Sequence, residues 1–347
     1  YAHGVEMGRA KEIFGPYEPN PTGEPILTSS PRHLFSLGDP DAGHFEMYNQ
    51  KSLMQKAGHG SLGETPAHEW YIAHLMARPL PGTKLNPLGR ETALQKMRWT
   101  EDGWLEMADG SNVAKMTTEA PCNQPAGTEN AQRDGAYDVY DGFSSGMLSK
   151  KFMAPYHQPD LSWVSVQRGR LVLCGRESFF SQNDPSILAT RATSFSYQLQ
   201  TKLDFHPVHY SQTAGAGLYY DSNNWLYAYV GLNDKENQRV ISILQAKLGQ
   251  RIAFDFDTVR IPDGAVPELR WQYHYGRAQA FYRLDEEAEW QAIADAVDVS
   301  YLSDEGVNGE PGEIGGFTAL FNFIGSVDAY QHDSQAEFFY YQVRADQ

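Results

Sequence analysis

The sequence predicts an all-β protein, and three observations lead to that prediction. Aromatic residues make up 13% of the chain, and strands favour them because their side chains pack well on a pleated surface. Glycine occurs 31 times and proline 19 times, as a fold of short strands joined by many turns requires. Between these turn signals, apolar and polar residues alternate in short runs, which is typical of antiparallel strands with one buried face.

The first part of the chain, residues 1–107, reads as short strands broken by turns. One hairpin is predicted around His68 and Glu69, between the runs SLGET and WYIAHL. A second is predicted in MRWTEDGWLEM, because Asp-Gly between alternating apolar positions is a strong hairpin signal. Residues 30–44 are expected to form a long surface loop. This part is too short for a complete large β-propeller, but it could supply about two blades of one.

The rest of the chain divides into a predicted linker and a predicted β-sandwich. Residues 108–134 have little apolar periodicity and many turn residues, so we expect a linker there. Residues 135–347 return to alternating strands with frequent turns, which favours an antiparallel sandwich. Within them, AEWQAIADAVDVS fits either a helical turn or a strand followed by a loop. Gly215 and Gly217 lie in a strand pattern and indicate a bulge or close packing.

The net charge and the cysteine content bear on which partners the chain can bind and on where the protein is located. The net charge of −16 disfavours nucleic acid and anionic membrane surfaces, since both repel an acidic chain. A neutral ligand such as a sugar is compatible with it, and sugar rings pack their C–H faces on aromatic rings. Cys122 and Cys174 lack a metal-binding spacing; they could form a disulfide or stay free. Free thiols and the lack of a signal-peptide pattern favour a cytoplasmic protein.

Several stretches, taken in order, resemble glycoside hydrolase family 43, specifically its two-domain β-xylosidases. In the first part these are IFGPYEPNP, PILTS, MQKAGHGSLGETPAHEWYIAHLMARPLPG and NPLGRETALQKMRWTEDGW; in the second part they are LVLCGRES, AGAGLYYDSNNW, GGFTALF and AEFFYY. The resemblance implies the last blades of a five-bladed β-propeller, followed by a C-terminal β-sandwich of the jelly-roll or concanavalin-like kind. It also implies inverting release of terminal β-1,4-linked xylose, together with some α-L-arabinofuranosidase activity.

The catalytic carboxylates implied by the resemblance have no counterparts in the 347 residues. Inverting hydrolysis needs an acid and a base roughly 6.5–9.5 Å apart. In the family these precede the stretch that matches Tyr1, and the acid lies in a Thr-Glu-Gly-Pro stretch that this chain lacks. We therefore assign no catalytic role to Glu64, Glu91 or Glu177. Because the chain starts with Tyr1, we expect an N-terminal propeller portion on a second polypeptide. The alternative is an inactive module that binds oligosaccharide or serves a structural role.

Four residues of this chain are expected to contribute to the substrate site. The resemblance implies that Arg90 hydrogen-bonds the xylose hydroxyls, for which its five fixed donors suit it. It places His59 near the propeller axis, as a calcium ligand or as a group that orients the site. Chemistry alone favours a buried, hydrogen-bonded His59, since calcium prefers oxygen ligands. Phe317 would line the mouth of the pocket, with an ordinary core position as the alternative. His3 would lie near the acid-bearing strand.

No other cofactor is expected, and the resemblance implies a homo-oligomer of the assembled enzyme.

Overall fold

The computed structural model describes residues 4–29, 52–122, 138–252, 258–308 and 316–346. The chain forms two compact units, Tyr1–Ala131 and Gln132–Gln347. All regular secondary structure in the described ranges is β-strand, so the all-β prediction is confirmed. The described residues contain no helix that could cross a membrane. His3 and the loop predicted at residues 30–44 lie outside the described residues.

The first unit contains two small two-stranded sheets and one four-stranded antiparallel sheet. β1 pairs with β4, β2 pairs with β3, and the larger sheet has the order β5-β6-β7-β8. The strands are β1 (Gly4–Val5), β2 (Gly8–Arg9), β3 (Glu18–Pro19), β4 (Leu27–Thr28), β5 (Gln55–Glu64), β6 (Trp70–Ala77), β7 (Glu91–Trp99) and β8 (Leu105–Met107). A four-stranded antiparallel sheet matches the pattern of a propeller blade, whereas the number of blades stays a prediction.

Both predicted hairpins of the first unit are present. Thr65 N donates to Glu69 O at 2.8 Å and closes the turn between β5 and β6. Between β7 and β8, Thr100 N donates to Trp104 O at 2.7 Å. Gly103 there has φ = 81°, a left-handed conformation that glycine adopts without steric cost. Local turn chemistry therefore sets the register of this sheet.

The first half of the predicted linker packs on the four-stranded sheet. Lys115 N donates to Gln95 Oε1 at 3.2 Å, and Gln95 Nε2 donates back to Lys115 O at 2.8 Å. Ala114 lies in the apolar core of this unit, and Cys122 N donates to Glu69 Oε2 at 2.6 Å. Residues 108–122 are therefore held against the sheet by backbone and side-chain contacts.

The second unit is a sandwich of two antiparallel sheets. One sheet has the order β10-β11-β24-β13-β19-β20-β21, with β22 paired to β20 and β9 paired to β24. The other has the order β12-β23-β14-β15-β16-β17, with β18 paired to β16. The strands are β9 (Val139–Asp141), β10 (Val164–Gln167), β11 (Arg170–Cys174), β12 (Ser186–Arg191), β13 (Ser196–Asp204), β14 (Gln212–Asp221), β15 (Asn224–Asn233), β16 (Gln238–Lys247), β17 (Gln250–Ile252), β18 (Val259–Arg260), β19 (Glu268–His274), β20 (Arg277–Arg283), β21 (Gln291–Ala292), β22 (Val297–Asp298), β23 (Phe321–Asp328) and β24 (Gln335–Ala345).

The structure decides two alternatives that the sequence leaves open. The segment AEWQAIADAVDVS forms β21, β22 and connecting turns, so the strand-plus-loop alternative holds and the helical one is wrong. Cys122 and Cys174 are both free thiols, so the disulfide alternative is wrong. Neither result changes the prediction of the fold class.

Hydrogen bonds from buried aromatic side chains join the two sheets of the sandwich. Trp271 Nε1 of β19 donates to Ala216 O of β14 at 2.8 Å. Tyr341 of β24 lies 2.6 Å from Thr190 Oγ1 of β12 and donates to Asn322 O of β23 at 3.1 Å. Trp271 and Tyr341 are essentially inaccessible to solvent. Because a buried polar atom without a partner is costly, these bonds help to specify how the sheets face each other.

The glycines of β14 are required by close packing. A Cβ on Gly217 would lie 2.0 Å from Leu226 O of β15 and 2.8 Å from a ring carbon of Phe323. A Cβ on Gly215 would lie 2.1 Å from Ala228 O. Phe323 belongs to an aromatic cluster on this sheet, centred on Phe179. The prediction of close packing at Gly215 and Gly217 is therefore confirmed.

His74 is a buried histidine on β6 of the first unit. Its side chain is 1% exposed, and its Nδ1–H donates to Leu75 O at 2.9 Å. Burial lowers the pKa of His74 and outweighs the opposing effect of this hydrogen bond. Since the charged form is disfavoured in the folded state, His74 is neutral there at pH 7.

We predict that Gly217→Ala destabilises the protein by about 3 kcal/mol, because the added methyl group meets backbone that cannot move cheaply. The measurement is the free energy of unfolding from urea titration. Gly63→Ala is the matched control, since a Cβ at Gly63 in β5 meets no atom within 4 Å. The control should change stability little or raise it slightly. Equal losses in both variants would contradict this account of the glycine positions.

We predict that His74 makes the protein less stable as the pH falls below about 6.5. The unfolded chain binds a proton there, whereas the folded state resists it, so the loss can approach about 1.4 kcal/mol per pH unit. The measurement is the thermal midpoint at about pH 7.5 and about pH 5.5. His74→Leu should show a smaller difference between the two values than the parent protein. The control is His68→Leu, at an 86% exposed side chain, which should keep the parent's pH dependence.

Candidate functional site

The candidate site lies at the end of the four-stranded sheet where β5 and β7 begin. Gly58 of β5 is opposite Leu75 of β6, and Met76 is opposite Glu91 of β7. His59 directly follows Gly58, and Arg90 directly precedes Glu91. The structure therefore brings these two predicted residues to the same end of one sheet, on strands separated by β6.

A tight turn positions Arg90. Leu80 N donates to Leu85 O at 2.8 Å, and Gly89 N donates to Asn86 O at 3.3 Å. Gly89 has φ = 63°, a left-handed conformation that glycine adopts without strain. Leu88 is fully buried beneath the turn. The turn is thus anchored on both sides, and it delivers Arg90 at a defined place before β7.

The side chain of Arg90 is shielded although the residue is only partly buried. Its Nε and Nη2 atoms are inaccessible to solvent. Beside it in sequence, Glu91 accepts two hydrogen bonds from Arg78, at 2.8 and 2.7 Å. This two-pronged pair is geometrically specific, and it occupies the carboxylate next to Arg90. A shielded guanidinium loses less of its attraction to a hydroxyl oxygen or a carboxylate than one in open water.

Lys56 is a second cation at this end of the sheet, and sequence analysis did not identify it. Its side chain is 2% exposed, which is rare for lysine. The register of β5 shifts between Gln55 and Gly58, and Lys56 sits there with φ = 58°. A bulge of this kind re-aims a side chain. Nothing in the run MQKAGHG marks a bulge, although the adjacent glycines are compatible with one.

His59 is exposed, contrary to the buried, hydrogen-bonded histidine that chemistry alone favoured. It lies within the second register shift of β5, between Gly58 and Ser61, and has φ = 50°. The described residues contain no group of three or more His, Cys, Asp or Glu side chains that could hold a metal ion. A role of His59 as a calcium ligand stays a prediction.

Phe317 belongs to the second unit and is not a core residue. Its side chain is 58% exposed, so the core alternative is wrong. The turn that carries it is anchored: Gly316 N donates to Asp304 O at 3.0 Å. A Cβ on Gly316 would lie 2.1 Å from the hydroxyl of Tyr220. An aromatic ring is thus presented to the exterior on a firmly packed backbone.

The three glutamates to which we assigned no catalytic role make local contacts. Glu64 pairs with His68 at 2.8 Å, and Glu91 pairs with Arg78. Glu177 accepts a hydrogen bond from Ser181, which lowers the pKa of its carboxyl group. Each carboxylate is thus engaged by a neighbour within its own unit.

Two sequence models of known families match the chain. The model described as beta xylosidase C-terminal concanavalin A-like domain matches residues 140–344. The model described as glycosyl hydrolases family 43 matches residues 1–105. Between them they cover both units of the fold.

Individual relatives agree with this result. The chain is 32% identical over 257 residues to a putative beta-xylosidase of Escherichia coli K12, covering 71% of this chain and 43% of that protein. It is 30% identical to xylosidase/arabinosidase 43B of Humicola insolens, covering 99% of this chain and 59% of that protein. These figures mean that the chain spans about three fifths or less of the relatives' length.

A solved structure shares both the fold and the sequence. The crystal structure of xylan beta-1,4-xylosidase from Bacillus halodurans C-125 superposes with a TM-score of 0.84 at 31% identity. The superposition covers 98% of this chain and 59% of that one. Taken with the family models, these matches show that the chain belongs to glycosyl hydrolase family 43 and contains the concanavalin A-like domain described for beta-xylosidases.

Proposed function

We propose that this chain forms the substrate-binding and accessory part of an inverting glycoside hydrolase that releases terminal xylose from β-1,4-xylooligosaccharides. The observation that carries the proposal is the shielded guanidinium of Arg90, delivered by an anchored turn to the end of a blade-like sheet. Xylose hydroxyls accept hydrogen bonds, and a guanidinium donates several in one plane. The matches to beta-xylosidases support this choice of sugar.

In this proposal the chain binds and orients the sugar, while the proton transfers occur elsewhere. At the described end of the sheet, the carboxylate of Glu91 is engaged by Arg78. Arg90 would hold a hydroxyl pair and, by its charge, keep nearby carboxylates ionised. We assign neither the general acid nor the general base to Glu64, Glu91 or Glu177 of this chain. Holding the sugar in one orientation lets those groups act on opposite faces of the ring.

α-L-Arabinofuranose is a second candidate for the released sugar. The relative from Humicola insolens is named a xylosidase/arabinosidase, and one from Bacteroides ovatus is named a non-reducing end alpha-L-arabinofuranosidase. Both sugars are neutral pentoses, so a guanidinium that binds hydroxyl groups suits either. The cytoplasmic location and the homo-oligomeric assembly expected from the sequence stay predictions.

The proposal requires that an active preparation contain the acid and the base as well as this chain. Intact mass spectrometry under native conditions, with hydrolysis of a chromogenic β-xyloside measured on the same sample, tests it. We expect the fraction that hydrolyses the xyloside to contain, besides these 347 residues, polypeptide that carries the acid and the base, whether joined to this chain or separate from it. Full activity from this chain alone would overturn the assignment of the acid and base. No activity in any assembly that contains the chain would favour the inactive binding module.

We predict that Arg90→Ala lowers kcat/KM of the active assembly about 100-fold, because charged hydrogen bonds to the sugar are lost. Arg90→Lys should recover only part of the loss, since lysine keeps the charge but not the planar fork. Steady-state kinetics on xylobiose gives both values. The control is Arg98→Ala, an exposed arginine paired with Glu106, which should leave kcat/KM unchanged. A normal rate for Arg90→Ala would exclude its role in the site.

We predict that Phe317→Ala raises KM for xylooligosaccharides about three- to tenfold, because an aromatic wall of the aglycone subsite is removed. The effect should grow from an aryl xyloside with a small leaving group to xylotriose, while kcat changes little. Tyr275→Ala, at a 48% exposed aromatic residue, is the control and should behave like the parent. If Phe317→Ala, like Tyr275→Ala, left the KM of every substrate at the parent's value, that result would argue against a subsite at Phe317.

A further inference from the structure

The outward face of the nine-stranded sheet carries an unusual set of side chains. Residues directly opposite in an antiparallel register point to the same side of a sheet. Two adjacent rows cross β24, β13, β19 and β20, and the first row also includes β9. We call these nine positions the glutamine face: Tyr140, Gln342, Gln200, Arg270 and Phe281 in the first row, and Arg344, Gln198, Gln272 and Gln279 in the second.

The composition of the glutamine face is not what an ordinary solvent-facing sheet requires. Any polar residue satisfies the outward positions of an antiparallel sheet, and strand geometry favours threonine, valine and aromatic residues. Five of the nine positions are instead glutamine, and none is a carboxylate, although the chain carries a net charge of −16. The face therefore offers neutral groups that each donate and accept hydrogen bonds, without the repulsion that dominates the rest of the chain.

A hollow of about 360 Å³ lies on this face. It is lined by Gln198, Gln200, Gln342, Arg344, Ala345 and Asp346. Its amides are partly ordered by one another, because Gln200 Nε2 donates to Gln198 Oε1 at 3.2 Å. Within the part of the chain that the structure describes, the side-chain amide of Gln342 forms no hydrogen bond. The hollow thus contains amides that are ordered by each other and an amide, that of Gln342, that is available to hydrogen-bond a ligand.

An exposed aromatic residue lies on the strand next to Gln342, which lines the hollow. Tyr140 of β9 is directly opposite Gln342, and its side chain is 68% exposed. Its ring stacks against that of Tyr340, with centroids 6.4 Å apart and planes inclined by 23°. Tyr340 is itself held by a 2.8 Å hydrogen bond to Glu268. A rigid aromatic platform next to amides suits a ligand with both an apolar ring face and many hydroxyl groups.

We propose that the glutamine face binds a neutral β-linked oligosaccharide, with a xylan chain as the occupant. Sugar hydroxyls both donate and accept, as the five amides do, and a ring C–H face can rest on Tyr140. The rows cross several strands about 4.8 Å apart, so the face can engage several sugar units in sequence. The choice of xylan rests on the proposed function, whereas the choice of a glycan rests on the chemistry of the face.

The same observations disfavour other occupants. A protein partner or a second copy of the chain would be expected to bury an apolar centre, whereas the centre of this face is made of amides. An anionic polymer would need a cluster of unpaired cations, and only Arg270 and Arg344 are present among the nine positions. Arg270 lies over the ring of Trp290 at 3.8 Å, which places it within the packed surface.

We predict that this chain is retarded in a native gel that contains soluble xylan and binds xylohexaose in calorimetry. Tyr140→Ala should weaken binding about tenfold, because the ring platform is lost. Gln200→Ala should weaken it about three- to tenfold, because one donor–acceptor pair is lost. The controls are Tyr210→Ala, whose side chain is 62% exposed, and Gln250→Ala on the other sheet. Both should bind like the parent, and all four variants should keep its melting temperature.

Binding that is unchanged in both Tyr140→Ala and Gln200→Ala, or absent for every glycan tried, would overturn the inference. Binding of cellohexaose but not xylohexaose would overturn the choice of xylan. A parent dimer that Tyr140→Ala converts to a monomer would show that a second copy covers the face, and would also overturn it. Because binding is measured without hydrolysis, a failure here is distinguishable from a failure of the proposed function, which concerns the assembly's activity.

Discussion

The register of β24 against its neighbours is the constraint on which the sandwich depends. This long strand pairs with β13 on one edge, and with β11 and β9 on the other. Its alternate residues serve opposite purposes, since Tyr341 reaches Thr190 across the core while Gln342 faces outward. A slip of one residue would expose the tyrosine and bury the amide. The bond from Thr201 Oγ1 to Tyr340 O, at 2.6 Å, opposes such a slip.

Features encoded over short stretches of chain were predictable. The hairpin at Asp102-Gly103 and the all-β class follow from turn chemistry and alternation, which act between residues close in sequence. The close packing at Gly217 was also predictable, because a glycine within a strand pattern often marks a place where a neighbouring backbone approaches closely. The choice between helix and strand at residues 288–300 was not predictable, since a short apolar run fits both the 3.6-residue period of a helix and the two-residue period of a strand.

The candidate site was only partly predictable, for physical reasons that concern long-range contacts. The place of Arg90 came from a resemblance, because nothing local distinguishes a shielded arginine from one in a surface turn. Lys56 was missed because it lies in the register shift of β5 between Gln55 and Gly58, and such a shift arises from pairing between strands. Chemistry alone favoured a buried His59, whereas the residue is exposed, in a part of β5 whose register against β6 shifts between Gly58 and Ser61.

The two surfaces to which we assign sugar binding use the same hydroxyl chemistry under different electrostatic conditions. At Arg90 the donors are charged and shielded, so each hydrogen bond is strong and a misplaced one is costly. Such a group suits the positioning of one terminal sugar, where orientation determines whether proton transfer can occur. On the glutamine face the donors are neutral and partly solvated, so each contact adds little. Several weak contacts along a row hold a polymer and still release it, which suits a surface that brings substrate near without fixing its register.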